Sequence, residues 1–206
     1  VPVNTTAPVI DMLKGIIIQS GNDASKAMAQ HIGGSETTFA DLMNEEAKKL
    51  GMTHSHFKNA TGMPQEGHEA SAEDLAKLAQ AIIRGSQKYY GIYSQKQFTY
   101  NGITQGNRNA LLFTDPTVDG LKTGHTEQAG YCLVASSKRG DMRLISVIMG
   151  SKTMQERADQ SRNLLNWGFS HYATKIVAPA QKSYGAVPVN FGEVDQVNVV
   201  TKSNLQ

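Results

Sequence analysis

The stretch Val118-Asp-Gly-Leu-Lys-Thr-Gly-His125 is followed by two β-type runs, Tyr131 to Ser137 and Arg143 to Met149, joined by the turn-rich tetrapeptide Lys138-Arg-Gly-Asp141. Runs of this length around such a turn predict an antiparallel pair. The leading stretch is also chemically dense. Lys122 by charge and Thr123 by its hydroxyl are suited to hold a carboxylate, Gly124 lets a ligand's backbone approach without a Cβ in the way, and His125 adds an imidazole. Two readings stand side by side: a segment that holds a ligand, or a tight turn between strands in which Gly120 and Gly124 serve the backbone and Lys122 is merely solvated.

Upstream, Asn101-Gly102 between Gln97–Tyr100 and Ile103–Gln105 favours the primed turn of a two-residue hairpin. Before it the period is helical. Ser71 caps a helix with Asp74 in its first turn and an apolar stripe of Leu75, Leu78, Ala79, Ile82 and Ile83, while Ser35 caps Glu36 to Leu50, which Gly51 stops in a left-handed conformation. Met52 to His68 reads as a long surface loop. Pro8, at a first-turn position, opens a short helix through Ile16, and Ser20-Gly-Asn-Asp23 interrupts before Ala24 to His31 resumes. Ser20 and Asn22 therefore fall at a junction between helices. Downstream, Thr153 to Phe169 predicts a helix burying Ala158, Ser161, Leu164, Leu165 and Trp167, and the valines and prolines from Ala178 to Val200 suggest strands. Helices, then strands, then a terminal helix predict an α+β fold with helices packed on an antiparallel sheet.

Composition narrows the function classes. With Lys+Arg 20 against Asp+Glu 18 and the charges mixed along the chain, there is no basic block of the kind that binds nucleic acid. One cysteine, Cys132, excludes an intrachain disulfide and a cysteine-based metal cluster. His54, His56 and His68 lie close in sequence, but no metal-binding motif such as H-E-x-x-H accompanies them, so they are expected to be loop histidines and neither metal nor cofactor is predicted. Tyr89, Tyr90 and Tyr93 are expected to serve packing. The longest apolar run, Ile16 to Ile18, is far below the roughly 20 residues that span a bilayer.

Ser20-Gly21-Asn22 and Lys122-Thr123-Gly124 are each weak motifs. Together, in this order, they resemble two of the three signatures of the penicillin-binding and β-lactamase superfamily, S-D-N and K-T-G, the third being S-x-x-K. The Ser-Gly-Asn form and the added His125 are similar to one branch, the low-molecular-mass penicillin-binding proteins that are serine D-alanyl-D-alanine carboxypeptidases. Gln19 to Ala24, Asn107-Arg-Asn109, Asp119 to Thr126, Ala129-Gly-Tyr131 and Leu165 to Phe169 extend the resemblance over about Pro8 to Val177.

The resemblance implies a transpeptidase-like fold and a set of roles. A serine attacks the carbonyl between two D-alanines and water resolves the acyl-enzyme. Ser20 relays a proton, Asn22 holds the substrate amide, Lys122 supplies positive potential, Thr123 binds the terminal carboxylate, and the His125 N–H forms half of an oxyanion hole. Gly21 and Gly124 accompany them as substrate-binding positions. Arg157 matches a position near the substrate carboxylate and Arg108 one lining the cleft. Helix capping by Ser20 and Asn22, and surface ion pairs for both arginines, are the plainer alternatives.

The same resemblance places S-x-x-K before Ser-Gly-Asn, yet the 19 residues preceding Ser20 contain no serine. Ser55-His-Phe-Lys58 matches literally but in the wrong order, and is read as coincidence. The expectation is therefore an N-terminally truncated carboxypeptidase domain over residues 8–177, after a lead-in of 1–7, with 178–206 starting a truncated β-rich domain. The implied partners are peptidoglycan stem peptides and β-lactam antibiotics, with no nucleic acid. The implied location is periplasmic or extracytoplasmic, with membrane association through a C-terminal anchor outside this sequence. A D,D-endopeptidase of the same family and a non-catalytic peptide-binding domain are the alternatives.

Overall fold

The structure, a computed structural model, describes residues 5–205. The predicted lead-in therefore lies in part, at residues 1–4, outside the described residues. The chain divides into two compact units, residues 1–169 and 170–206.

In the first unit, α1 (Val9–Gln19), α2 (Asn22–Gly33), α3 (Glu36–Lys49), α4 (Ala72–Gly85) and the short α5 (Gln87–Tyr90) come first. They precede the hairpin β1 (Gln97–Tyr100) and β2 (Ile103–Gly106), the single turn α6 (Leu111–Thr114), and the meander β3 (Val118–Thr126), β4 (Gly130–Arg139) and β5 (Met142–Ser151). Helix α7 (Met154–His171) follows. Sheet order β3-β4-β5 is antiparallel throughout, which bears out the α+β expectation.

Capping chemistry sets the helices as expected. Ser35 Oγ accepts the Thr38 N–H at 3.0 Å, Ser71 Oγ accepts the Asp74 N–H at 3.1 Å, and Gly51 stops α3 at φ 72°. Asn101 and Gly102 take φ 48° and 76°, as a primed hairpin turn requires. Pro8 is the N-cap of α1, one position before the first turn where the sequence placed it. The turn between β4 and β5 is tighter than predicted: Arg139 pairs with Met142, so Lys138 and Arg139 belong to the strand and Gly140-Asp141 alone turn the chain.

The apolar core gathers Leu111, Leu112, Val118, Leu133, Ala135, Ala158 and Leu165, with Leu144 and Phe169 against it. Each fully buried Leu contributes roughly 1.5–3 kcal/mol. Ala158, Ser161 and Leu165 of α7 are buried as predicted, but Leu164 and Trp167 are 43 % and 51 % exposed. The apolar stripe of α7 is narrower than its composition suggests. At the base of β3, Arg143 grips Asp119 with two bonds of 2.7 Å while the Tyr90 hydroxyl donates to the same carboxylate at 2.8 Å. This packing explains Tyr90, and burial pushes its pKa up to about 12.

The second unit holds the antiparallel pair β6 (Ser183–Pro188) and β7 (Gln196–Val200), exposed along their length. Among the described residues no helix is long and apolar enough to cross a membrane.

Candidate functional site

Helix α1 ends because Ser20 adopts a left-handed backbone, φ 56° and ψ 45°, and its N–H closes on Gly15 and Ile16 carbonyls. For a residue with a Cβ this conformation costs about 1–2 kcal/mol. Gly21 then caps α2: its N–H donates to Gly15 O at 3.1 Å and its carbonyl accepts the Ser25 N–H and hydroxyl. The kink turns Ser20 Oγ toward the sheet. There it accepts a hydrogen bond from Lys122 Nζ, 102 residues away, and the same ammonium donates to Thr123 O at 2.8 Å. Capping by the Ser20 side chain, the plainer reading, is not what the structure has.

Val118 to His125 lies within a nine-residue strand, not a turn, and this overturns the second reading of the stretch. Lys122 is half-buried rather than solvated. Burial, then the neighbouring Arg108 and Arg157 cations, brings its pKa down to about 8. In register Gly124 faces Cys132 and His125 faces Tyr131, whose ring stacks on the imidazole at 3.9 Å. A Cβ at Gly124 would meet only Cys132 Cβ at 3.8 Å, an ordinary contact, so the protein's own packing leaves this position free to be larger. At Gly120 it would press on the Tyr90 hydroxyl at 3.1 Å.

These side chains border a cavity of about 830 Å³. Ser20 and Asn22 form one wall, Lys122 to Thr126 with Tyr131 and Cys132 another, and Arg108, Met154 and Arg157 line it as well. Of the predicted site residues only Gly21 does not line the cavity.

Arg157, 5 % exposed, donates from Nη1 to Gly124 O at 3.1 Å and Cys132 O at 3.4 Å, and from Nη2 to Arg108 O at 3.3 Å. A surface ion pair is thereby ruled out for it; its pKa is lowered, chiefly by burial. Arg108 itself is exposed, held out by its neighbours. Asn107 Oδ1 accepts the Asn109 N–H at 2.9 Å, and Asn109 Nδ2 ties the segment to β3 through Gly120 O at 3.1 Å.

Sequence reasoning missed one wall. Thr61, Gly62 and Met63 line the cavity from the Met52–His68 loop, which is not a plain surface loop. Asn59 Oδ1 accepts the N–H groups of Thr61 and Gly62 and its Nδ2 donates to Met63 O at 3.0 Å, knotting the tip. At the loop's base His56 pairs with Glu69, and the wholly buried Asp74 accepts the His54 N–H at 2.7 Å and the Ser55 hydroxyl at 2.8 Å. Burial alone would raise the Asp74 pKa, but these bonds and Lys77 bring it down to about 2. The Asn-x-x-Gly spacing at Asn59 and Gly62 was the available signal; nothing in the sequence aims Met63.

Ser55 thus serves as a tether and does not line the cavity. His68 Nδ1 accepts the Lys58 N–H at 3.0 Å and its ring meets Phe57 edge-on. Among the described residues no group of three or more His, Cys, Asp or Glu side chains is placed to hold a metal ion.

Helices packed on this antiparallel sheet have the fold of the penicillin-binding, D,D-peptidase proteins. Residues 2–153 match the peptidase family described as D-alanyl-D-alanine carboxypeptidase, and the chain belongs to that family. It is 45 % identical over 193 residues to the D-alanyl-D-alanine carboxypeptidase DacA of Escherichia coli, covering 93 % of this chain and 48 % of that protein. Penicillin-binding protein 5 from Haemophilus influenzae superposes with a TM-score of 0.88 at 40 % identity, covering 99 % of this chain and 60 % of its own. A Listeria monocytogenes penicillin-binding protein in its cefotaxime-bound form is 30 % identical with a TM-score of 0.74, covering 81 % of this chain and 68 % of that one. The chain spans about half the length of the curated relatives it matches.

Proposed function

We propose that these residues form the S-x-N and K-T-G walls of a serine D-alanyl-D-alanine carboxypeptidase that trims the terminal D-alanine from peptidoglycan stem peptides and is acylated by β-lactams. One observation carries this reading: Lys122 and Ser20, from motifs 102 residues apart, meet by a direct hydrogen bond at the edge of a cavity. Family membership supports it.

The chemistry assigns the parts. The acylating serine comes, by the family pattern, from an S-x-x-K segment; in this sequence that pattern occurs only at Ser55 to Lys58, away from the cavity. The terminal carboxylate of the substrate is met by the Lys122 charge and the Thr123 hydroxyl, and the peptide extends along β3, whose outer edge has no strand partner among the described residues. Asn22 holds the substrate amide. As the tetrahedral oxyanion forms, the His125 N–H donates to it, and Ser20 passes a proton to the departing D-alanine amine. The Lys122 ammonium, which donates to Ser20 Oγ, holds that hydroxyl in place for the transfer. Arg108 adds positive potential at the mouth.

We further take residues 8–177 as the catalytic domain and 178–206 as the beginning of a β-rich one, a division supported by the exposed β6–β7 pair. The cell-wall substrate implies action outside the cytoplasm, on the periplasmic face.

The test is intact-mass analysis after incubation with benzylpenicillin. The full-length protein should gain one acyl group on the serine of an S-x-x-K segment, and the 206-residue chain none. An adduct on Ser20 or Ser55, or none on the full-length protein, overturns the assignment.

A further inference from the structure

The charge of the cavity wall exceeds what a single carboxylate requires. Its lining includes three cations, Lys122, Arg108 and Arg157, and not one Asp or Glu. Two of the three are already committed. Lys122 is fixed by Ser20 and the Thr123 carbonyl beside the Thr123 hydroxyl, a pairing suited to one carboxylate. Arg157 is buried and gives its donors to three backbone carbonyls.

Arg108 is different. Its side chain is exposed at the cavity, and none of the ion pairs among the described residues includes it. Three acidic groups of the unit are paired with other arginines: Asp119 with Arg143, Asp115 with Arg139, Asp159 with Arg162. The segment that presents it is nonetheless built with care, since Asn107 and Asn109 brace it and Arg157 holds its carbonyl. Arg108 also sits close enough to Lys122 to repel its proton, and nothing in the wall relieves that repulsion.

We infer that the cavity selects peptides bearing a second acidic group upstream of their terminal carboxylate, and that Arg108 receives it. This rests on the carboxypeptidase reading and narrows its substrate class to diacidic peptides. A ligand with one carboxylate leaves the Arg108 and Lys122 cations only partly compensated; a second carboxylate near the mouth neutralises the remainder and steers entry.

Two isosteric peptides decide the matter, acetyl-L-glutamyl-D-alanyl-D-alanine and acetyl-L-glutaminyl-D-alanyl-D-alanine, compared with the full-length protein. The glutamyl peptide should have the higher kcat/KM, by roughly two- to fivefold for an exposed pair. Salt at about 0.5 M should shrink the ratio, as screening demands. Arg108→Gln should bring the ratio to about one, and Arg108→Lys should keep most of it. Equal kcat/KM for the two peptides in the native protein, or an unchanged ratio in Arg108→Gln, overturns the inference. If neither peptide is hydrolysed, it is the carboxypeptidase reading that fails; the ratio of the two peptides' dissociation constants, read by calorimetry, then judges Arg108 by the same criterion.

Discussion

Arg157 on α7 donates to the carbonyl of Gly124 on β3 at 3.1 Å, so the helix that follows the sheet fixes the backbone of the strand that borders the cavity. The same guanidinium reaches Cys132 on β4 and Arg108 on the segment before α6. One buried side chain sets the spacing of three separate pieces of wall.

Removing it should therefore loosen the whole region. Arg157→Ala leaves three carbonyls short of a donor and should cost about 2–4 kcal/mol in urea unfolding followed by the fluorescence of Trp167, the single tryptophan. Arg157→Lys restores charge without the planar fork and should recover less than half of that loss. Equal stability of Arg157→Ala and the native chain would remove the bracing role.

Lys122 is the group whose loss should strike acylation. In the full-length protein Lys122→Ala should slow acylation by benzylpenicillin by about 10- to 100-fold, the range of a charge-assisted hydrogen bond. Stopped-flow measurement of acylation checks this, and an unchanged rate would discard its part in carboxylate recognition.

The pH dependence has a defined sign. Lys122 falls from 10.5 to about 8 on folding, so between those values the unfolded chain retains a proton the folded one has released, and this group adds stability as pH rises through that window. The charge proposed to hold a carboxylate fades over the same window. Acylation by an anionic β-lactam should decline above pH 8 in the native protein, and this decline should be absent in Lys122→Arg.

Asp74 acts at the other end of the scale. Its pKa falls from 3.8 to about 2, so the stability it gives the Met52–His68 loop is complete above about pH 4–5 and is lost as pH falls toward 2. Limited proteolysis with pepsin should open this loop first as the pH is lowered. Asp74→Asn should open it already at neutral pH to a neutral protease; protection equal to the native chain would contradict the tether.

Two glycines separate conformation from crowding. Gly140 has φ 58° with open space around it, so Gly140→Ala should cost only about 1 kcal/mol. Gly130 has φ 67° and a Cβ there would come within 2.9 Å of Ser151 O, so Gly130→Ala should cost at least about 2 kcal/mol. Thermal unfolding of the pair, side by side, checks the order.

Local chemistry made much of this legible beforehand. Caps at Ser35 and Ser71 and the Asn101-Gly102 turn act within a few residues, and the structure has all three where the sequence put them. The Ser20 and Lys122 motifs were legible through family likeness, not through any rule that brings residues so distant together. The left-handed backbone of Ser20 was hidden because nothing in a serine announces it. Asp74 looked like a first-turn acid; its burial depends on where a separate loop folds back. Trp167 was placed inside because its composition is apolar, whereas the face of α7 that meets the sheet is set by Ala158, Ser161 and Leu165.

The contact between Ser20 and Lys122 also has a consequence for folding. Helices α1 and α2 and the β3-β4-β5 meander are each built from near neighbours in sequence, but joining them closes a loop of 102 residues, an entropy cost on the order of 4 kcal/mol. The seam between them should thus zip late, after both halves exist. A small molecule lodged there is a clasp between the early and late halves of the chain, and its binding energy is returned as resistance of the entire unit to melting.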